Sequence, residues 1–136
     1  MEMVDHVIHH TTDYKPNDAI SARLKKNHLF TIEKAKDYIT KHFTSDISLT
    51  EIADHCHVSP FHFSRIFKTF TSISPHQFLL SIRLKNSELL LKETSLPVAD
   101  VAFSSGFNSI EHFTNAFRQK YHSPPARFRT TRESVH

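Results

Sequence analysis

The sequence predicts an all-α fold of about seven helices, in which two helix-turn-helix units are joined by a long linker helix. Three observations carry this. Ser59, Phe63, Phe67, Lys68, Pro75 and Phe78 recur 50 positions later as Ser109, Phe113, Phe117, Arg118, Pro125 and Phe128, so the chain contains a duplicated unit. Upstream, Leu49-Thr50-Glu51-Ile52-Ala53 pairs with Val98-Ala99-Asp100-Val101-Ala102 at an offset of 49, a one-residue slip that a turn between two helices absorbs. Each copy also carries helix-start signals at matching places and a pair of phenylalanines four residues apart, the spacing of one helix face.

Taken in order, Met1 to Asn27 has sparse apolar residues without a period, includes His9-His10 and ends in a basic cluster of Arg23, Lys25 and Lys26; residues 1–30 read as a tail or linker. Ile32, Ala35, Ile39 and Phe43 share one face, which predicts a first helix over about 31–43. Ser48 with Glu51 forms a capping box, and Ile47 with Ile52 a hydrophobic staple, opening a short helix that runs to about Cys56. Val58-Ser59-Pro60 then repeats that logic with a serine cap, a proline at the first helical position and a Val58 to Phe63 staple. Ser74-Pro75 opens a long connecting helix carrying Phe78, Leu79, Ile82, Leu89 and Leu90 and ending near Glu93. In the second copy Leu96 and Val101 supply the staple, Pro97 holds the cap position, Gly106 fills the turn and Ser109 caps the next helix. Gly106 is the only glycine, and a turn of this kind favours the positive φ that glycine adopts without steric cost. Ser123-Pro124 begins a last short helix containing Phe128. The expected division is therefore a 1–30 tail, a 31–94 first unit with the connecting helix, a 95–130 second unit and a 131–136 tail. Phe63, Phe67, Phe113 and Phe117 are expected in the core, and Ala53 and Ala102 at close helix contacts.

The net charge of +3 is modest, but its placement is uneven. Residues 59–92 carry Arg65, Lys68, Arg83, Lys85 and Lys92 against Glu88, and residues 109–132 carry Arg118, Lys120, Arg127, Arg129 and Arg132 against Glu111. Positive charge follows the second half of each repeat, as a phosphate-facing surface requires. If about 6 to 8 of these cations neutralise phosphates, the log-log salt slope of binding is near −5 to −7. A single cysteine, Cys56, excludes an internal disulfide, and no apolar run reaches signal or membrane length, so a cytoplasmic protein is expected.

The stretch Arg83-Leu84, Leu89-Leu90, Thr94, Val98 to Ala102, Gly106-Phe107, Phe113, Phe117-Arg118, Ser123-Pro124-Pro125 and Phe128-Arg129 resembles the DNA-binding domain of AraC/XylS family transcription regulators, and the likeness extends over about Thr31 to Arg129. The resemblance implies that the second helix of each unit, about 59–70 and 109–121, enters the major groove. The connecting helix would set the two insertions about one DNA turn apart, so that one chain reads an asymmetric operator on double-stranded DNA. It further implies base contacts from Phe61, His62, Ser64 and Arg65 and from Ile110, Glu111, His112 and Asn115, with phosphate contacts from Lys68, Arg118 and Gln119. Among these, Arg65 suits guanine O6 and N7, Asn115 suits adenine, Glu111 suits the cytosine amino group, and Phe61 suits a thymine methyl or a sugar. RNA polymerase is an implied partner, and no cofactor is expected.

The sequence departs from the family pattern where the first turn has His57 in place of glycine, and where Ser72 and His122 replace the glycines that follow each recognition helix. Family members often carry an effector-binding or dimerisation domain ahead of the DNA-binding one, and at most 30 residues precede it here, which fits either a short regulator or a piece of a longer chain. Two other classes fit parts of the sequence. The 12 histidines, with His55-Cys56-His57 in series, suggest a metal-responsive protein, yet consecutive residues on a helix end diverge and lack a partner at ligand spacing, so no metal site is expected. The acidic stretch Asp46 to Asp54 suggests a protein-binding adaptor, compatible with DNA binding. One glycine leaves no phosphate loop, and no nucleophile, base and orienting group assemble from spacing, so the sequence does not read as an enzyme.

Overall fold

The computed structural model describes residues 16–135, and among them the chain forms seven helices and no strand. They are α1 (Pro16–His42), α2 (Leu49–His55), α3 (Pro60–Thr71), α4 (Pro75–Glu93), α5 (Val98–Ser104), α6 (Ile110–Tyr121) and α7 (Pro125–Val135). Two ends differ from the sequence reading. Helix α1 begins at Pro16 rather than near Thr31, and α7 continues to Val135 through the region expected as a tail. The early turns of α1 were missed because residues 21 to 27 are exposed, so no apolar stripe marks them. Good helix formers such as Ala22, Arg23, Leu24, Lys25 and Lys26 suffice there. His9-His10 lie outside the described residues.

The expected starts are made by real hydrogen bonds. Ser48 Oγ accepts from the Glu51 amide at 3.1 Å while Glu51 Oε1 accepts from the Ser48 amide at 2.7 Å, closing the capping box. Ser59 and Ser109 accept from the amides of His62 and His112 at 3.2 and 3.0 Å. Ser74 and Gln77 form a second capping box at the start of α4, and Pro97 holds the α5 cap position without a side-chain bond. The helix ends repeat as well. His57 and Gly106, the turn residues between α2 and α3 and between α5 and α6, have φ of 60° and 96°. Ser72 and His122, which close α3 and α6, have φ of 71° and 62°. At three of these four left-handed positions the chain bears a side chain, each exposed, so the backbone geometry is kept at a small local strain.

Packing follows the duplication. One core joins Ile32, Ala35, Ile39, Ile52, Ala53, Cys56, Phe63, Ile66, Phe67 and Leu79; the other joins Leu84, Leu91, Val101, Ala102, Phe107, Phe113, Ala116 and Phe117. The four repeated phenylalanines are fully buried, and Phe67 on Phe78 and Phe117 on Phe128 make matching edge contacts at 5.7 and 5.2 Å. Helix α4 gives Leu79 to the first core and Leu84 and Leu91 to the second. Its 19 residues make a rod of about 28 Å shared by both units.

Two arginines counted above as surface cations are structural instead. Arg83, on α4, donates from Nε to Phe43 O and from a terminal nitrogen to Ser45 O, both at 2.8 Å, closing the end of α1. Burial lowers its pKa and Asp46 opposes that, leaving the guanidinium charged. Arg129, on α7, donates to the carbonyls of Leu91, Thr94 and Leu96, closing the end of α4 in the second unit. Thus α4 does for the first unit what α7 does for the second. Gly106 meets this junction directly: a Cβ there would overlap Phe43 O and come within 2.7 Å of Arg83 Nε. The turn of the second unit rests on the capped end of α1, which fixes the two units against each other.

Candidate nucleic-acid interface

Helices α3 and α6 each bury one face and expose the other. On α3, Phe63, Ile66 and Phe67 point inward, which leaves Phe61, His62, Arg65 and Lys68 exposed. Phe61 is 73% exposed, a state that costs hydrophobic free energy unless something covers the ring. The Arg65 guanidinium stands 5.7 Å over that ring, so cation and aromatic form one i, i+4 unit. His62 is drawn to the flank, edge-on to His28 of α1 at 5.9 Å. Ser64 is half-buried beside Ile47, Leu49, Ile52 and Leu79, turned away from the Arg65 side. Of the four α3 residues expected to touch bases, Phe61 and Arg65 are exposed together, while His62 and Ser64 lie beside the neighbouring helices.

On α6, Phe113, Ala116 and Phe117 are buried, while Ile110, Glu111, His112, Asn115, Arg118 and Gln119 are exposed. Ile110, Glu111, Thr114 and Asn115 surround a shallow open hollow. An Arg118 terminal nitrogen donates to Asn115 Oδ1 at 3.0 Å, linking a residue expected at phosphate to one expected at a base. The amide oxygen has a second lone pair, and its NH2 is free to donate, so Asn115 keeps the two-bond pattern that matches adenine. His112 rests edge-on against Phe107 at 5.4 Å, as His62 rests on His28.

Helix α6 has a tie to the rod that α3 lacks. Tyr121 donates to Glu88 Oε1 at 3.2 Å, and Lys92 pairs with Glu88 at 3.1 Å. Burial and the adjacent carboxylate push the Tyr121 phenol up to about 12. Burial pushes the Glu88 carboxyl up, but Lys92, Tyr121 and Lys85 outweigh it and hold the group below its ordinary value. Lys92 is thereby engaged, and with Arg83 and Arg129 removed the exposed cations of the two repeats are Arg65, Lys68, Lys85, Arg118, Lys120 and Arg127. The Arg132 side chain is outside the described residues.

His55, Cys56 and His57 diverge, as their sequence positions suggested. The His55 ring lies on Tyr38 at 4.5 Å, the Cys56 thiol faces inward toward Thr31 O at 3.8 Å, and His57 occupies the turn. Burial pushes the thiol pKa up, against a smaller pull from Lys34. Among the described residues no three His, Cys, Asp or Glu side chains gather as a metal-binding group, and no helix is long and apolar enough to cross a membrane.

Residues 52–131 match the family model described as a helix-turn-helix domain. A solved AraC-type regulator from Chromobacterium violaceum, described as containing an AraC-type DNA-binding domain, superposes with a TM-score of 0.70 at 25% identity, covering 75% of this chain and 91% of that one. The chain belongs to the AraC/XylS family. Within that family the C-terminal domain of AraT, a response regulator from Geobacillus stearothermophilus, is similar at 33% identity and a TM-score of 0.72, covering 75% of this chain and 85% of that one. The bifunctional transcriptional activator and DNA repair enzyme AdaA of Bacillus subtilis is 32% identical over 98 residues, 72% of this chain and 46% of AdaA. The family-model match of this chain is to the helix-turn-helix domain alone. The chain spans less than half the length of the curated relatives it matches. Sequence reasoning missed His28 as a neighbour of the recognition surface, although its place four residues before Ile32 put it on the stripe that α1 buries.

Proposed function

We propose that this chain is a sequence-specific, double-stranded DNA-binding transcription regulator that inserts α3 and α6 into successive major-groove segments. The observation that carries this is the pair of capped, outward-facing helices on one shared rod, each with an unburied polar and cationic face. A shared rod of about 28 Å carries both helices on one frame, and in this reading it presents them to successive major-groove segments on one side of the duplex. In this reading Arg65 and Phe61 read one half of the site, Asn115 and Glu111 read the other, and His62, Ser64, Ile110 and His112 line the edges. Lys68, Arg118 and Gln119 hold phosphates. Because the two faces differ, the operator is asymmetric. The 31–94 and 95–130 units act as the two reading heads, in the cytoplasm, where the DNA is.

RNA polymerase is the second partner in this proposal, reached through the exposed acidic side of the α2 region. Glu51 is committed to its cap and Asp46 lies in the field of Arg83, which leaves Asp54 as the carboxylate best able to reach out. The primary test is a fluorescence-anisotropy titration against duplex DNA at several salt concentrations. Six exposed cations on the two repeats give a slope of up to about −5 from these helices alone. Affinity independent of salt, or no binding at low salt, overturns the proposal.

A further inference from the structure

We infer that the amino-terminal extension of α1 is a third DNA-contacting element, in which Arg23, Lys25 and Lys26 bind phosphates along the groove wall beside α3. This rests on the reading of α3 as a groove-inserted helix and adds a surface that the two recognition helices do not include.

The placement comes from His28. Its ring sits edge-on to both His62 and Phe70 of α3, at 5.9 and 5.7 Å, so α1 crosses the middle of the recognition helix at that point. His28, His62, Ile66 and Phe70 line one open cleft of about 310 Å³ together with Arg65 and Thr69, which ties the α1 crossing to the face of α3 that carries the sharpest base-reading candidate. The three cations follow within five residues upstream, which is about 8 Å along a helix axis. In this proposal they reach the phosphates that border the groove α3 enters, from around the α1 helix rather than from one stripe of it.

Charge pairing separates this part of α1 from the rest of the helix. Downstream, Lys36 pairs with Glu33 at 3.9 Å and Lys41 with Asp37 at 3.0 Å, so two of the three lysines in the core-packed half, all but Lys34, have a carboxylate partner. From Ser21 to Ile32 there is no acidic residue, and Arg23, Lys25 and Lys26 are exposed with no ion pair among the described residues. Three exposed cations within about one helical turn repel one another in water, and a polyanion converts that repulsion into binding through counterion release. Among the described residues the extension is not packed into a core, since Leu24 and Phe30 remain 50% and 70% exposed.

The test is the triple variant Arg23→Ala, Lys25→Ala, Lys26→Ala of the full chain, compared with the parent by anisotropy against a selected duplex and a random one. Alanine favours helix, so α1 persists, and circular dichroism checks it. The expected result is a salt slope lower by about 2 to 3 units, with equal weakening on both duplexes and an unchanged base preference. Arg23→Lys, Lys25→Arg, Lys26→Arg restores the parent slope. Trimming the duplex on the α3 side should abolish the difference between parent and variant. A parent that binds with a steep slope and a triple variant that matches it on every duplex overturn this inference alone; a parent with no salt-dependent binding overturns the underlying DNA-binding reading as well.

Discussion

The turns of the two units adopt the same left-handed backbone, yet one holds histidine and the other must hold glycine. His57 is exposed, so its side chain leaves into water and only the local strain of a positive φ remains. Gly106 is buried against Phe43 O and Arg83, with no room for a single carbon. The lesson is that the left-handed conformation tolerates a side chain, whereas close approach of another backbone does not. The same contrast runs through the recognition helices. Their buried faces are nearly interchangeable, Phe63 and Phe67 against Phe113 and Phe117, while their exposed faces have diverged into Phe61 with Arg65 on one and Glu111, Asn115 and Arg118 on the other. Duplication fixed the frame, and the freedom to specialise was left to the surface.

The sharpest way to break this comparison is at the turns. Gly106→Ala should lower stability by at least about 3 kcal/mol, from strain at φ 96° plus collision with the Arg83 and Phe43 junction, whereas His57→Gly should change it by less than about 1 kcal/mol. Urea unfolding of both variants reads the difference directly. Equal costs would mean that the junction, not the turn geometry, has been misjudged.

Next in size is the contrast between the exposed faces. Arg65→Ala should lose roughly 1 to 3 kcal/mol on the preferred site, concentrated at one or two base pairs, and the loss should exceed that of Asn115→Ala, whose amide is already shared with Arg118. Competition binding with single-base-substituted duplexes measures both.

A smaller difference lies in how each recognition helix is tied down. Tyr121→Phe removes the bond to Glu88 and should cost about 1 kcal/mol of stability. Because the phenol's folded pKa is raised, its contribution is complete below its ordinary value near 10 and disappears as the pH rises through about 12. The parent should therefore lose alkaline stability that the Phe variant never had, as thermal melts across that range would show. Smallest of all, Lys68→Ala and Arg118→Ala should each weaken every DNA sequence alike and lower the salt slope by about one unit, since the two positions repeat. A variant that changed base preference would move that residue from phosphate to readout.

How much of this was legible follows from where the signals lay. The duplicated core and caps were readable because burial imposes a period and capping imposes residue types at fixed offsets, as at Ser48 with Glu51 and at Phe63 with Phe67. The left-handed ends at Ser72 and His122 were visible as places where the family pattern has glycine. The early turns of α1 were invisible because an exposed helix needs no stripe. Arg83 and Arg129 were misplaced for a different reason: composition counts a charge without its partner, and their partners are carbonyls 33 to 40 residues away. The flanking positions of His62 and Ser64 depend on α1 and α2 packing across α3, which no local pattern encodes.

The central claim is that one chain reads DNA through two unlike faces on a common frame, and selection of bound duplexes from a random pool tests it most directly. The account predicts two dissimilar elements about one helical turn apart, with Arg65→Ala erasing information in one element and leaving the other intact. A palindromic motif, or a motif whose information content survives Arg65→Ala undiminished in both elements, would contradict it.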